Sequence, residues 1–274
     1  MSFAAEYLAQ LETFAARAPL PRLRALHLPP PPLPGGERGE FCAVELDDGS
    51  IGLSYVLLDD TLDALRARPA LAGGDALALA RRYADADGAE RTLGFAAANA
   101  VTRCLYDRTG FEPPPADDSV GLLSPLPGDH LGMIGLFTPL VPRLLASGAN
   151  LTVIELRTDL AGPRDGWRVS ADARDLQRCN KVLATGTLLL NDTLDAMLVQ
   201  CRGATRLALI GPSLGCLPDA LFARGVSSVG GSWVLDTPGF VASVQRGENR
   251  SAQARKFTLT PADYPGFEAL LKRL

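Results

Sequence analysis

The chain has 274 residues, a formal net charge of −4 and 47% hydrophobic residues, enough for one large domain or two modest ones with real cores. Its basic residues are nearly all Arg and lie scattered beside acids, so there is no electrostatic footprint for nucleic acid. No apolar run reaches the roughly 18 residues that span a bilayer, which argues against a membrane segment.

At the start, Phe3, Leu8 and Leu11 alternate with Glu6 and Glu12 at helical spacing. That predicts an amphipathic helix without the order of a signal peptide, and a cytoplasmic location. Residues 29–36 are Pro- and Gly-rich and read as a stiff extended loop. FCAVELDD and IGLSYVLL then read as two strands joined by a turn at Asp48 and Gly49. Helical patterns follow over 61–68, 75–84 and 90–106. The Pro-rich stretch 112–118 fits an interdomain linker. The chain is thus expected to divide into a small α+β unit, residues 1–112, and a second unit, residues 113–274.

In the second unit, HLGMIGLF, NLTVIELR, KVLATG, RLALIG and SSVGGSWVLD alternate with helical segments near 139–147, 192–201 and 218–224. Near-continuous apolar strands alternating with helices predict a parallel sheet covered on both faces, an α/β, Rossmann-like arrangement.

The strongest candidate for a site is the end of the strand at 181–184. It stops at Thr185, Gly186 and Thr187, leaving hydroxyls and backbone N–H groups at the carboxyl edge, where ligands bind in open α/β sheets. Asn191 and Thr193 open the next helix, with Asn191 accepting from backbone N–H groups as a cap, and such an N-terminus also suits an anion. A second edge of the same kind carries Gly211, Pro212 and Ser213. Glu155 closes the strand LTVIE and is either a ligand contact or a solvated strand end. In the first unit, Asn99 interrupts the apolar helix GFAAANAV, where Asn is a poor helix former. It is expected to bond across a domain interface or face a cleft, approaching the loop 185–187. Gly52 and Gly94 suggest close backbone approach, to a ligand or to packed neighbours.

The segment GMIGLFTP lacks the glycines of a dinucleotide fingerprint, with Leu136 and Phe137 where small residues are required. Glu155, 20 residues after Gly135, matches only the position of a ribose-binding acid. Classical NAD binding is not expected and the cofactor stays unassigned. Cys42, Cys104, Cys179, Cys201 and Cys216 are far apart, and His27 and His130 are isolated. Reduced thiols and no structural metal are the expectation. Nucleophile-elbow, Walker A and H-E-x-x-H motifs are absent, so any chemistry falls to carboxylates and hydroxyls.

ERTLGFAAANA at 90–100, GMIGLFTPL at 132–140, VIE at 153–155, TGTLLLNDTLD at 185–195 and LIGPSLGCLPDALF at 209–222 occur in the order seen in a known group. In these motifs the chain resembles the putative heavy-metal chelation family. The resemblance implies an enolase N-terminal-like domain joined to a Rossmann-like domain, with a ligand cleft between them. It implies Gly52, Asn99, Glu155, Thr185, Gly186, Thr187, Asn191, Thr193, Gly211, Pro212 and Ser213 as cleft residues, and a role in handling metals through a small chelating molecule. The tail 245–256 departs from the family in being polar and Arg-rich, and reads as a solvated loop or a cover for the cleft. The expected partner is a small polar molecule or metal chelate, with self-association left open. The alternative is an enzyme acting on a nucleotide-like or carboxylated metabolite, with Glu155 as acid or base.

Overall fold

The computed structural model describes residues 1–31, 40–116, 120–248 and 250–274. Most of the Pro-rich loop at 29–36 and the end of the 112–118 linker lie outside these residues.

Helix α1 (Phe3–Arg17) starts on Ser2, whose hydroxyl accepts the Ala5 N–H, and buries Phe3, Tyr7, Leu11 and Phe14 at helical spacing. Strands β1 (Leu23–His27), β2 (Phe41–Leu46) and β3 (Ile51–Tyr55) form an antiparallel sheet in that order. The turn at Asp48 and Gly49 is as expected, with Gly49 at φ 86°. Strand β1 is an addition to the sequence reading. Only its first and last residues are buried, so it carries no alternation, and β2 supplies its definition.

Helices α2 (Thr61–Arg66), α3 (Ala76–Asp85) and α4 (Gly88–Arg108) follow. Helix α4 is buried almost throughout from Arg91 to Tyr106, as its apolar middle at residues 93–98 requires. Two glycines permit its approach. A Cβ on Gly52 would sit 2.1 Å from the Ala100 nitrogen, and one on Gly94 would sit 2.3 Å from the Tyr83 nitrogen.

The rest of the chain is β4 (His130–Ile134), α5 (Val141–Leu145), β5 (Asn150–Ile154), β6 (Gly162–Arg164), β7 (Trp167–Ser170), β8 (Lys181–Thr185), α6 (Leu194–Gln200), β9 (Arg206–Ile210), α7 (Asp219–Ala223), β10 (Ser228–Val234), α8 (Thr237–Arg246), β11 (Ala254–Leu259) and α9 (Phe267–Leu271). Its sheet has the order β11-β10-β9-β8-β4-β5-β7-β6. The six strands from β10 to β7 run parallel, and β11 and β6 are antiparallel edges. The fold is α/β, with a mixed rather than purely parallel large sheet. The tail at 245–256 is the expected loop only in its middle, and none of its described residues lines the cavity at the strand ends. It holds the end of α8, closed by Gly247 at φ 68°, and the start of β11. Pairing with β10 uses the backbone of residues whose polar side chains suggested a loop.

The chain leaves β4 for β5 on one side and returns to β8 on the other. The carboxyl ends of β4 and β8 are therefore the topological switch point. The largest apolar core runs from Phe3 and Tyr7 through Phe95 to Leu189, Leu214 and Leu271, joining both sheets. No helix among the described residues is long and apolar enough to cross a membrane.

Candidate functional site

A cavity of about 510 Å³ opens at the switch point. Its floor is made by the strand ends: Ile134 to Phe137 after β4, Glu155 after β5, Thr185 to Leu188 after β8 and Gly211 to Ser213 after β9. Another wall comes from the three-stranded sheet, through Phe41 and Tyr55, and from Glu40 and Leu58 just outside its strands. The chain turns sharply out of β4 at Gly135, which has φ 82°, and a Cβ there would lie 3.0 Å from the Thr185 methyl. Only glycine meets both demands.

Glu155 is held by two backbone donors. Its Oε2 accepts the Leu136 N–H at 3.1 Å and its Oε1 accepts the Arg157 N–H at 3.3 Å. A carboxylate has about four acceptor sites, so part of its capacity remains open toward the cavity. Across from it, burial pushes the Tyr55 phenol above its ordinary pKa, and the Glu40 and Glu155 carboxylates push it further in the same direction. Tyr55 therefore keeps its proton at neutral pH and offers a donor as well as an acceptor.

The Thr185 hydroxyl accepts from the Thr187 N–H at 3.3 Å and the Thr187 hydroxyl at 3.1 Å. Asn191 Oδ1 accepts from the Thr193 N–H at 3.3 Å and the Thr193 hydroxyl at 2.6 Å. These local bonds fix both loops with their remaining polar capacity at the cavity.

Of the residues singled out from sequence, Glu155, Thr185, Gly186, Thr187, Asn191, Thr193, Gly211, Pro212 and Ser213 line this one cavity. Gly52 and Asn99 do not; they border a small separate cavity. Gly52 receives the backbone of α4. Asn99, 2% exposed, donates to the Leu53 and Ser213 carbonyls at 2.9 and 2.8 Å and accepts from the Tyr7 hydroxyl at 3.2 Å. It bonds across to the Ser213 loop of the later part of the chain, one of the two roles expected of it. Glu40, Tyr55 and Met197 escaped the sequence reading although they line the cavity. Tyr55 gave one signal, an aromatic with a polar tip ending a strand.

The described lining residues include two carboxylates, a phenol, four aliphatic hydroxyls and an amide, and no Lys, Arg or His. Among the described residues no three His, Cys, Asp or Glu side chains converge in a way that could hold a metal ion. All five thiols are buried, and burial pushes Cys42, Cys104, Cys201 and Cys216 up to about 12, far from the thiolate form that binds soft metals.

The family described as "Putative heavy-metal chelation", DUF364, matches residues 118–261, and DUF4213, of the same description, matches residues 39–102. An uncharacterised protein of Methanocaldococcus jannaschii, MJ0500, is 32% identical over 151 residues. The match covers 54% of this chain and 56% of that protein, so it spans little more than half of the relative. A crystallised DUF364 protein of Desulfitobacterium hafniense superposes with a TM-score of 0.66 at 20% identity, covering 93% of this chain and 97% of that one. Another, from Pyrococcus horikoshii, gives 0.67 at 19% identity, with 93% and 99% covered. At these identities the structures speak to the fold, which they share over nearly its whole length. With more than half of the chain matched by the DUF364 description, the protein belongs to the putative heavy-metal chelation family.

Proposed function

We propose that this protein binds a small polar ligand in the 510 Å³ cavity, and that the ligand is cationic or rich in hydrogen-bond donors, as a metal ion held in an organic chelate is. The observation that carries this reading is the chemistry of the walls. Glu40 and Glu155 supply negative charge, while Thr185, Thr187, Thr193, Ser213 and Asn191 supply neutral acceptors and donors, with no basic side chain among the described lining residues. Such a surface favours positive charge and N–H or O–H groups, and disfavours a bare phosphate or nucleotide. Two carboxylates are too few to complete an oxygen shell for a bare cation, which supports a metal that arrives with its own ligands. We further propose that residues 1–112 and 113–274 are the two units whose meeting creates the cavity. The family description supports a role in heavy-metal or metallophore metabolism.

Hexaamminecobalt(III) is a suitable probe, being a substitution-inert cation whose ammine groups donate hydrogen bonds. Calorimetric titration is expected to give saturable binding, weakened by Glu155→Gln. Absence of saturable binding, or equal affinity in Glu155→Gln, would refute the reading. Mass spectrometry of material carried through purification identifies the natural occupant.

A further inference from the structure

A second pocket of about 250 Å³ adjoins the cavity, sharing Phe137, Gly211 and Pro212 with it. It lies on one face of the sheet. Ile210, Gly230 and Thr258 stand side by side across β9, β10 and β11, and Ser232 and Lys256 form the next row. Phe137, Pro139 and Leu140 wall the opposite side.

Gly230 is the informative residue. Its neighbour Gly231 is required by packing, since a Cβ there would lie 2.6 Å from the Leu214 carbonyl oxygen. For a Cβ on Gly230 the nearest atoms would instead be the Ile210 methyl at 3.3 Å, the Phe257 carbonyl oxygen at 3.5 Å and the Thr258 hydroxyl at 3.6 Å. Neither the backbone conformation nor a close backbone contact demands glycine at that position. What glycine does there is leave bare peptide as the pocket floor, with only the Ile210 methyl crowding the place a side chain would take. The walls are apolar, and the single charge is the exposed Lys256 ammonium, which no hydrogen bond or ion pair engages among the described residues. A flat floor, apolar walls and one cation at the mouth match an aromatic ring bearing a carboxylate.

We infer that this pocket is a subsite for a flat carboxylated ring belonging to the same ligand whose donor-rich part occupies the larger cavity. The inference rests on the ligand-binding reading above, and the two are tested by different probes. 2-Naphthoate titrated alone reports on this pocket. Binding to the parent protein is expected to weaken by at least about tenfold in Gly230→Val, which fills the floor. It should weaken up to about fivefold in Lys256→Gln, which removes only an exposed charge. The neutral 2-naphthylmethanol should bind parent and Lys256→Gln equally. Failure of naphthoate to bind the parent, or unchanged naphthoate binding in Lys256→Gln together with Gly230→Val, overturns the subsite. Both variants should keep the parent's circular dichroism and its affinity for hexaamminecobalt(III). Loss of that cation's binding in the parent, with naphthoate behaving as expected, overturns the larger cavity's reading and leaves the pocket's ring specificity standing.

Discussion

Asn99 donates both amide hydrogens to carbonyls on either side of it, Leu53 on β3 and Ser213 on the loop after β9. Removing the side chain strands both acceptors in a buried place, at a cost of about 1–3 kcal/mol each when nothing replaces the bond. Asn99→Ala is therefore expected to lose about 3 kcal/mol, a fall in Tm of roughly 5–10 °C for a chain of this size, measured by thermal denaturation. Glu155 predicts the opposite pattern. Its carboxylate sits at the cavity and accepts from Leu136 and Arg157. Glu155→Gln keeps a carbonyl oxygen for one of these donors, so Tm should change little. Removal of the charge should reduce hexaamminecobalt(III) affinity by about 1.5–3 kcal/mol, the range for a charge-assisted hydrogen bond. A large drop in Tm with unchanged affinity would make Glu155 a structural tie between the ends of β4 and β5.

At the scale of elements, β4 and β8 are fastened at their amino ends, opposite the cavity. Lys181 pairs with Asp129 at 2.7 Å and donates to the Ser124 carbonyl, while Asn180 donates to Asp129 and accepts the His130 N–H. The hydrogen bond from Lys181, followed by those from Asn180 and the Leu126 N–H, lowers the Asp129 carboxyl from 3.8 to about 2. A carboxylate with a depressed folded pKa contributes stability that is present above about pH 4 and is lost as pH falls through about 2. With solvent screening the contribution is on the order of 1 kcal/mol. Parent protein should thus lose more stability than Asp129→Asn between pH 5 and 2, read from urea midpoints at each pH. Parallel curves would mean that the pair contributes nothing measurable. Fastening the amino ends leaves the carboxyl ends of the same strands free to serve the cavity.

The whole molecule shares one large core across both sheets. Polar contacts reinforce the join: Tyr83 donates to the Leu189 carbonyl at 2.8 Å, and Arg103 donates to the Val234 carbonyl while stacking 3.8 Å over Trp233. Sheets joined in this way lack the small, polar interface that allows independent motion. Calorimetry is expected to show a single transition with equal calorimetric and van't Hoff enthalpies. Residues 1–112 expressed alone should remain unfolded, because α4 would expose faces buried against the second sheet. Two resolved transitions would contradict this coupling.

The α/β class, the strands β4, β5, β8, β9 and β10 of the large sheet and the loops around Thr185 and Gly211 could be read from the sequence because their signals are local. Apolar runs, glycine turns and small hydroxyl residues declare a strand and its end within a few positions. Strand β1, the edge β11, the short strand β7 and the reversed strand β6 could not, because a short or polar segment becomes a strand only when a partner offers its ladder. The tertiary structure also divided the polar candidates. Asn99 and Thr185 both looked like cleft residues, yet Asn99 is spent on backbone carbonyls in the core and Thr185 lines the cavity. Tyr55 and Glu40 joined that cavity from a distant part of the chain. Which polar group is consumed inside and which is left for a ligand depends on partners far away in sequence, and only packing brings those together.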